Sequence, residues 1–229
     1  MVREEGARER LDGPLPPAAR GATLDDLDRL NAWFGGYALT LSRVRRAAAR
    51  LPRGRRLVVV DVGGGRGDLA VNVVRWARRR RRPVRVLVLD TDAATLALAR
   101  RRTAAYPEIE LVQADATALP LREGAADVAV AALTLHHLDR GAAAACLAEM
   151  RAAAALALVN DLLRTRTSLA LVWLVTRLMR LHPVSRHDGP VSVRRAYSAG
   201  ELAALAERAG GRARIRSYPW LGRLVAEIA

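Results

Sequence analysis

The sequence predicts an α/β fold with a doubly wound, mostly parallel seven-stranded sheet that ends in an antiparallel hairpin. Three observations carry this. From Arg56 onward, short apolar runs alternate with longer segments of helical periodicity, the signature of repeated β-α-β units. The first apolar run, Val58-Val59-Val60-Asp61-Val62, opens into Gly63-Gly64-Gly65-Arg66-Gly67-Asp68, a glycine-rich turn directly after a strand. Two final apolar runs, 212–218 and 223–228, are separated by Pro219-Trp220 and form the hairpin at a sheet edge.

Taken in order, residues 1–22 read as a flexible N-terminal extension. Gly13-Pro14-Leu15-Pro16-Pro17 removes donors, and the charged neighbours bury nothing. A single domain then spans 23–229. Thr23, followed by Asp25 and Asp26, is placed to cap a helix whose apolar positions are Leu24, Leu27, Leu30 and Phe34. Gly35-Gly36 breaks it before a second helix from Tyr37 to Arg50, which completes the N-terminal helices of 23–50. Strands are expected at 57–61, 84–89, 109–114, 127–132 and 155–160, with helices at 68–80, 93–104 and 140–152 between them. After Asp161 the rhythm changes. An insertion over 162–197 holds an apolar helix, Leu169 to Leu181, and a polar loop, His182 to Ala196. Ser198 with Glu201 three residues on gives the capping-box spacing of one more helix.

Composition bounds the function. With 229 residues and 51% hydrophobic content the chain can bury one full core, although aromatics are only 4% and alanine supplies much of the apolar total. The formal charge of +15 would point toward nucleic acid. All 38 basic residues are arginine, however, and the densest run, Arg78 to Arg82, falls at a helix C-terminus, where cations favour the dipole. No aromatics are interleaved with it to stack on bases. Nucleic acid is therefore disfavoured as a partner. A lone cysteine, Cys146, sits among alanines as a small core residue and rules out an intrachain disulfide. The start, Met1-Val2-Arg3-Glu4-Glu5, is unlike a secretory signal, so a cytoplasmic location is expected, and no apolar run reaches the ~20 residues of a transmembrane helix.

In a doubly wound sheet the ligand lies beyond the C-terminal strand ends. Four of these ends carry chemistry. The first is Asp61 with Gly63, Gly65 and Gly67. A dinucleotide fingerprint would need a third glycine at position 68, which is an aspartate. Carboxylates on both sides of the turn suit a cationic ligand better than a pyrophosphate. The second strand ends in Asp90-Thr91, where an acid can accept both hydroxyls of a ribose. The third ends in Asp115-Ala116, and the fourth leads into Ala131-Ala132-Leu133-Thr134-Leu135-His136-His137.

In this order the four ends resemble the class I S-adenosylmethionine-dependent methyltransferases across roughly residues 57–161, a family with a Rossmann-like sheet of seven strands. The resemblance implies that Gly63, Gly65 and Gly67 let the backbone approach the methionine half of S-adenosylmethionine, with Asp61 near its ammonium group. It implies that Asp90 and Thr91 hold the ribose, that Asp115 and Ala116 meet the adenine, and that Ala132 and Leu133 close on the methionine end. The segments Asp115-Ala116-Thr117-Ala118-Leu119-Pro120-Leu121 and Leu135-His136-His137-Leu138 look like the ubiquinone/menaquinone methylase-like group, which mainly modifies small molecules. Arg151-Ala152-Ala153-Ala154 replaces the Pro-Gly turn usual before the fifth strand.

The function expected is methyl transfer to a small apolar aromatic or lipid-like acceptor, a phenol, quinone or polyketide-like compound, at oxygen in preference to carbon. No metal is expected. A phenol of pKa ~10 needs a proton acceptor, and imidazole suits the task. His136, His137 and His187 are the candidates, each alternatively held by a neighbouring backbone or loop group. Substrate contacts are expected from Trp33, Phe34, Tyr37, Trp173, Arg186, Asp188 and Arg195 in the N-terminal helices and the insertion. The aromatics among them serve equally as core packing. An RNA or protein methyltransferase and a noncatalytic S-adenosylmethionine-binding protein are the other readings. Against the first stands Ala131-Ala132-Leu133-Thr134 in place of an Asn-Pro-Pro-Tyr-like tetrapeptide. Oligomeric state is not legible.

Overall fold

The computed structural model describes residues 1–229. Its strands are β1 (Leu57–Val62), β2 (Val84–Asp90), β3 (Ile109–Gln113), β4 (Val128–Ala132), β5 (Ala157–Leu162), β6 (Ala213–Tyr218) and β7 (Arg223–Ile228). Its helices are α1 (Pro17–Trp33), α2 (Gly36–Ala49), α3 (Asp68–Arg79), α4 (Ala93–Thr103), α5 (Arg140–Ala153), α6 (Arg166–Leu178), α7 (Pro183–Arg195) and α8 (Ala199–Arg208). The seven strands form one sheet in the order β3-β2-β1-β4-β5-β7-β6. β1 to β5 are parallel, and β7 runs antiparallel between β5 and β6. The strand order reverses between β1 and β4, which opens a crevice at their C-terminal ends.

Side chains on β1 alternate between two cores, as the period of a strand requires. Val60 and Val62 pack with Cys146 and Leu147 of α5 and Leu202 and Leu205 of α8. Val59 packs on the other face with Val44 of α2 and Val71 and Val74 of α3. Fully buried alanines such as Ala143 and Ala206 let helices sit close to the sheet. Ser198 and Glu201 form the capping box of α8, and Arg78 at the end of α3 pairs on the surface with Glu108. No helix is long and apolar enough to cross a membrane.

Three expectations are corrected. First, α1 starts at Pro17, not near Thr23. Proline suits the first helical turn, where its missing N–H costs nothing, and Thr23 instead donates to Ala19 O within the helix at 2.8 Å.

Second, 182–196 is helical rather than a loop. Asp26 of α1, expected just after the capping Thr23, is buried in mid-helix and accepts from the His182 N–H and Ser185 hydroxyl, both at 2.7 Å, which organises the start of α7. Gly189 lets α7 approach α6 so closely that a Cβ would stand 2.8 Å from Val172 Cγ1. Tertiary contacts thus override the breaker signals of Gly189 and Pro190.

Third, the N-terminal segment expected to be loose is pinned to the domain. Arg3 is buried, donating to the carbonyls of Arg195 at 2.6 Å and Leu138 at 2.7 Å, with its guanidinium 4.1 Å from the Tyr197 ring centre. Glu9 is buried as well.

Candidate functional site

The crevice is built by locking loops to one another. Beyond β1, the Gly65 N–H donates to Asp90 Oδ2 at 2.9 Å, while Asp90 Oδ1 accepts from the Asp92 N–H at 2.9 Å. One carboxylate therefore ties the first two strand ends together. Asp92 caps α4 and meets Arg20 of α1 at 2.7 Å. Beyond β4, the Thr134 hydroxyl donates to Val62 O at 3.1 Å and packs so tightly on Gly63 that a Cβ there would lie 2.3 Å from Thr134 Cγ2. Gly63 has φ +64, in the left-handed region that favours glycine.

These loops enclose a cavity of about 710 Å³, lined by Asp61, Gly63, Gly64, Gly65, Asp90, Thr91, Asp115, Ala116, Ala132 and Leu133 among others. All the residues singled out for a cofactor meet here except Gly67. That glycine is the left-handed N-cap of α3. Asp115 also caps its own turn, accepting from the N–H and hydroxyl of Thr117, each at 2.8 Å. Tyr37 lines the cavity and donates to Asp28 at 2.7 Å, and burial pushes its hydroxyl pKa up. Asp61 is buried, and its Oδ2 has no hydrogen-bond partner. Burial, then the charges of Asp90 and Asp68, push its carboxyl up to about 7.

A second, apolar cavity of about 110 Å³ adjoins the first, and Leu11, Leu27, Leu133 and His137 line both. Its walls include Leu30 and Phe34 from the N-terminal helices and Val172 and Val175 of α6. Glu9, His136 and His137 supply part of its polar lining, together with Thr176, Ser192 and Arg223. His136 is buried, with Nδ1 2.6 Å from Asp161 Oδ1 and Nε2 3.4 Å from Glu9 Oε1. Burial opposes its charge, but Asp161 and Glu9 outweigh that and hold it up to about 10. Glu9 is held down to about 2, its burial outweighed by His136 and His137. His137 is partly exposed, with Nδ1 3.1 Å from Asp12 and Nε2 3.9 Å from Glu9 Oε2.

The remaining substrate and base candidates do not converge on either cavity. His187 faces outward on α7 and pairs with Asp188 at 2.8 Å. Asp188 itself is buried and bonded to the N-terminal segment, and Arg186 is exposed. Arg195 donates to the carbonyls of His136, His137 and Ala7 at 3.0, 2.7 and 2.6 Å, so it braces the histidines from behind. Trp33 is 70% exposed, and Trp173 is half exposed beneath the Arg177 guanidinium. Phe34 and Tyr37 alone of that set line a cavity. Glu9, Asp12, Arg20 and Asp161 were missed. Asp161 ends β5 as Asp61 ends β1, a signal that could have found it; nothing in the sequence marks Glu9.

Residues 59–155 match a family described as methyltransferase domain. A probable S-adenosylmethionine-dependent methyltransferase of Mycobacterium tuberculosis is 31% identical over 137 residues, covering 55% of this chain and 44% of that protein. The middle of the chain is thus similar to a methyltransferase domain, and this relative is described as S-adenosylmethionine-dependent. A second relative of the chain, the 2-phytyl-1,4-naphtoquinone methyltransferase of Thermosynechococcus vestitus, is 46% identical over 70 residues, 31% of this chain and 29% of that one. The chain thus spans less than half the length of the curated relatives it matches. A solved S-adenosylmethionine-dependent methyltransferase from Aquifex aeolicus shares the fold, with a TM-score of 0.65 at 19% identity, covering 94% of this chain and 98% of its own.

The cofactor in the name of the Mycobacterium relative is S-adenosylmethionine, and the larger cavity of this chain fits it. Its volume falls within the ~300–1,000 Å³ of small-molecule sites. The unpartnered oxygen of buried Asp61 calls for a cation, and S-adenosylmethionine is cationic at both sulfonium and ammonium. A Cβ at Gly65 would meet no protein atom within 4 Å, so the loop leaves room where the cavity runs beside it.

Proposed function

We propose that this chain methylates a small, mostly apolar aromatic acceptor, a phenol or quinone-like compound, at oxygen. The observation that carries the proposal is the apolar cavity beside the cofactor cavity, joined to it through Leu133 and His137. In this reading Asp61 takes the ammonium group, Asp90 and Thr91 the ribose, and Asp115 and Ala116 the adenine, while Ala132 and Leu133 border the methionine end. When bound, S-adenosylmethionine supplies a methyl group already activated as a sulfonium.

The protein's own work is then alignment, exclusion of water and removal of the phenolic proton. Leu27, Leu30, Phe34 and Val175 supply dry walls for an aromatic ring. The proton leaves at the Glu9, His136 and His137 cluster. His136 is held as a cation by its carboxylates and favours a phenolate nearby, and His137 is the histidine that borders both cavities. The naphthoquinone acceptor in the name of the Thermosynechococcus relative agrees with this class. Several of the arginines behind the +15 charge, Arg78, Arg85 and Arg66 among them, are paired with acids.

The test is methyl transfer from S-adenosylmethionine to a panel of phenols, hydroxyquinones and hydroxynaphthoates, followed by mass spectrometry. Mass gain at a hydroxyl oxygen supports the proposal. Modification of RNA or protein, with the panel untouched, would overturn it.

A further inference from the structure

Part of the polar lining of the apolar cavity has the makings of a metal centre. One ligand atom from each of Glu9, His136 and His137 lies within 4.8 Å of the others. Two ligands of a tetrahedral ion at ~2.1 Å stand ~3.4 Å apart. The separation of His136 Nε2 from Glu9 Oε1 is 3.4 Å, and that of His137 Nε2 from Glu9 Oε2 is 3.9 Å.

The surroundings make the stronger case. Histidines that bind metal commonly donate their other ring N–H to a carboxylate, which orients the ring and aims its free lone pair. Both histidines have that support: His136 Nδ1 faces Asp161 at 2.6 Å, and His137 Nδ1 faces Asp12 at 3.1 Å. Both Nε2 atoms are directed toward Glu9, and a metal ion binding there displaces the Nε2 proton that the charged His136 otherwise carries. Glu9 in turn is 94% buried, with relative exposure of 6%, yet its Oε1 has no hydrogen-bond partner. In the metal-free protein the charged His136 ring faces that oxygen from 3.4 Å without forming a hydrogen bond, and a divalent ion would engage it directly.

We propose that Glu9, His136 and His137 bind a divalent transition-metal ion of the zinc class, with Asp161 and Asp12 as supporting partners. Nitrogen and carboxylate donors suit such an ion, and three protein ligands leave a coordination position open. That position faces the apolar cavity. What the ion does rests on the methyl-transfer reading: the open position takes the acceptor's phenolic oxygen and favours its anion, and the released proton passes to solvent. Whether the ion binds does not depend on that reading.

The test uses the full chain without a histidine tag, stripped with chelator and titrated with Co²⁺. One equivalent per chain is expected, with the visible absorption of a low-symmetry nitrogen and oxygen site, displaced by Zn²⁺. Glu9→Gln and His137→Ala should weaken binding by at least ~100-fold, and Asp12→Asn by ~10- to 100-fold at unchanged stoichiometry. Circular dichroism on each variant confirms folding. Absence of one-equivalent binding to the wild type, or wild-type affinity in both folded ligand variants, would overturn the site. Thermal stabilisation by S-adenosylhomocysteine is read on the same samples. Cofactor stabilisation without Co²⁺ binding ends the metal proposal alone, while Co²⁺ binding without cofactor stabilisation supports the metal site and ends the methyl-transfer reading.

Discussion

Asp188, buried on α7, accepts a hydrogen bond from the backbone N–H of Leu11 at 2.9 Å, 177 residues earlier in the chain. Its other oxygen accepts from the Arg10 N–H at the same distance. This one carboxylate holds the segment that delivers Glu9 to the histidines and Leu11 to the wall between the two cavities.

Asp188→Ala is therefore expected to release the strap while the sheet stays folded. Hydrogen bonds to a charged group contribute ~1.5–3 kcal/mol each, so the loss should be about 3 kcal/mol, or a Tm fall of ~6–12 °C in a chain of this size. Trypsin should then cut at Arg8 and Arg10 much faster than in the wild type. Unchanged cleavage at those sites would show that the latch does not hold the segment.

Asp90→Ala should remove most cofactor binding. It frees the Gly65 and Asp92 N–H groups and deletes the proposed ribose acceptor. Lost stabilisation of ~3 kcal/mol corresponds to a roughly 100-fold rise in the Kd for S-adenosylhomocysteine. Calorimetric titration measures it, and an affinity within threefold of wild type would remove Asp90 from the site.

Two glycines of one loop should fail differently. Gly63→Ala drives a Cβ into Thr134, so the protein itself should lose stability. At Gly65, with φ +57, a Cβ meets no protein atom within 4 Å, so Gly65→Ala should cost only the ~1–2 kcal/mol of left-handed strain yet impair cofactor binding. Melting curves with and without S-adenosylhomocysteine separate the two effects. Equal losses of stability in both would contradict this division.

Asp61 makes stability and cofactor binding respond oppositely to pH. Its pKa is raised from 3.8 to about 7, so the folded state keeps a proton that the unfolded state has lost, and its contribution falls as pH rises through that window. Asp61→Asn stays neutral and should gain stability relative to wild type between pH 4 and 7. Binding of an ammonium group needs the ionised form, so wild-type affinity for S-adenosylhomocysteine should rise by up to ~10-fold per unit below pH 7 and level off above it. The Asn variant should bind weakly with a flat profile. A flat wild-type profile from pH 5.5 to 8 would detach Asp61 from the ammonium.

The cofactor half of the site was legible because its determinants are local. A strand, its terminal acid and the following turn are contiguous in sequence, so Asp61, Gly63, Gly65, Asp90 and Asp115 could be read from periodicity and spacing, and the parallel sheet brought them to one edge. The acceptor half was not. Arg186, His187, Asp188 and Arg195 looked like loop residues facing a ligand, but α7 turns Arg186 and His187 outward, Asp188 onto backbone N–H groups and Arg195 onto backbone carbonyls.

What the sequence by itself determined is the sheet and the order of its strand ends, which line the cavity proposed for the methyl donor, since hydrophobic periodicity and turn chemistry act over a few residues at a time. Only the tertiary structure decided where the N-terminal segment docks. Glu9 reaches His136 because buried Arg3, Arg195 and Asp188 find partners more than a hundred residues away. Hydrogen bonds of that kind leave no period in the sequence, and they convert a charged, proline-rich extension into one wall of the site.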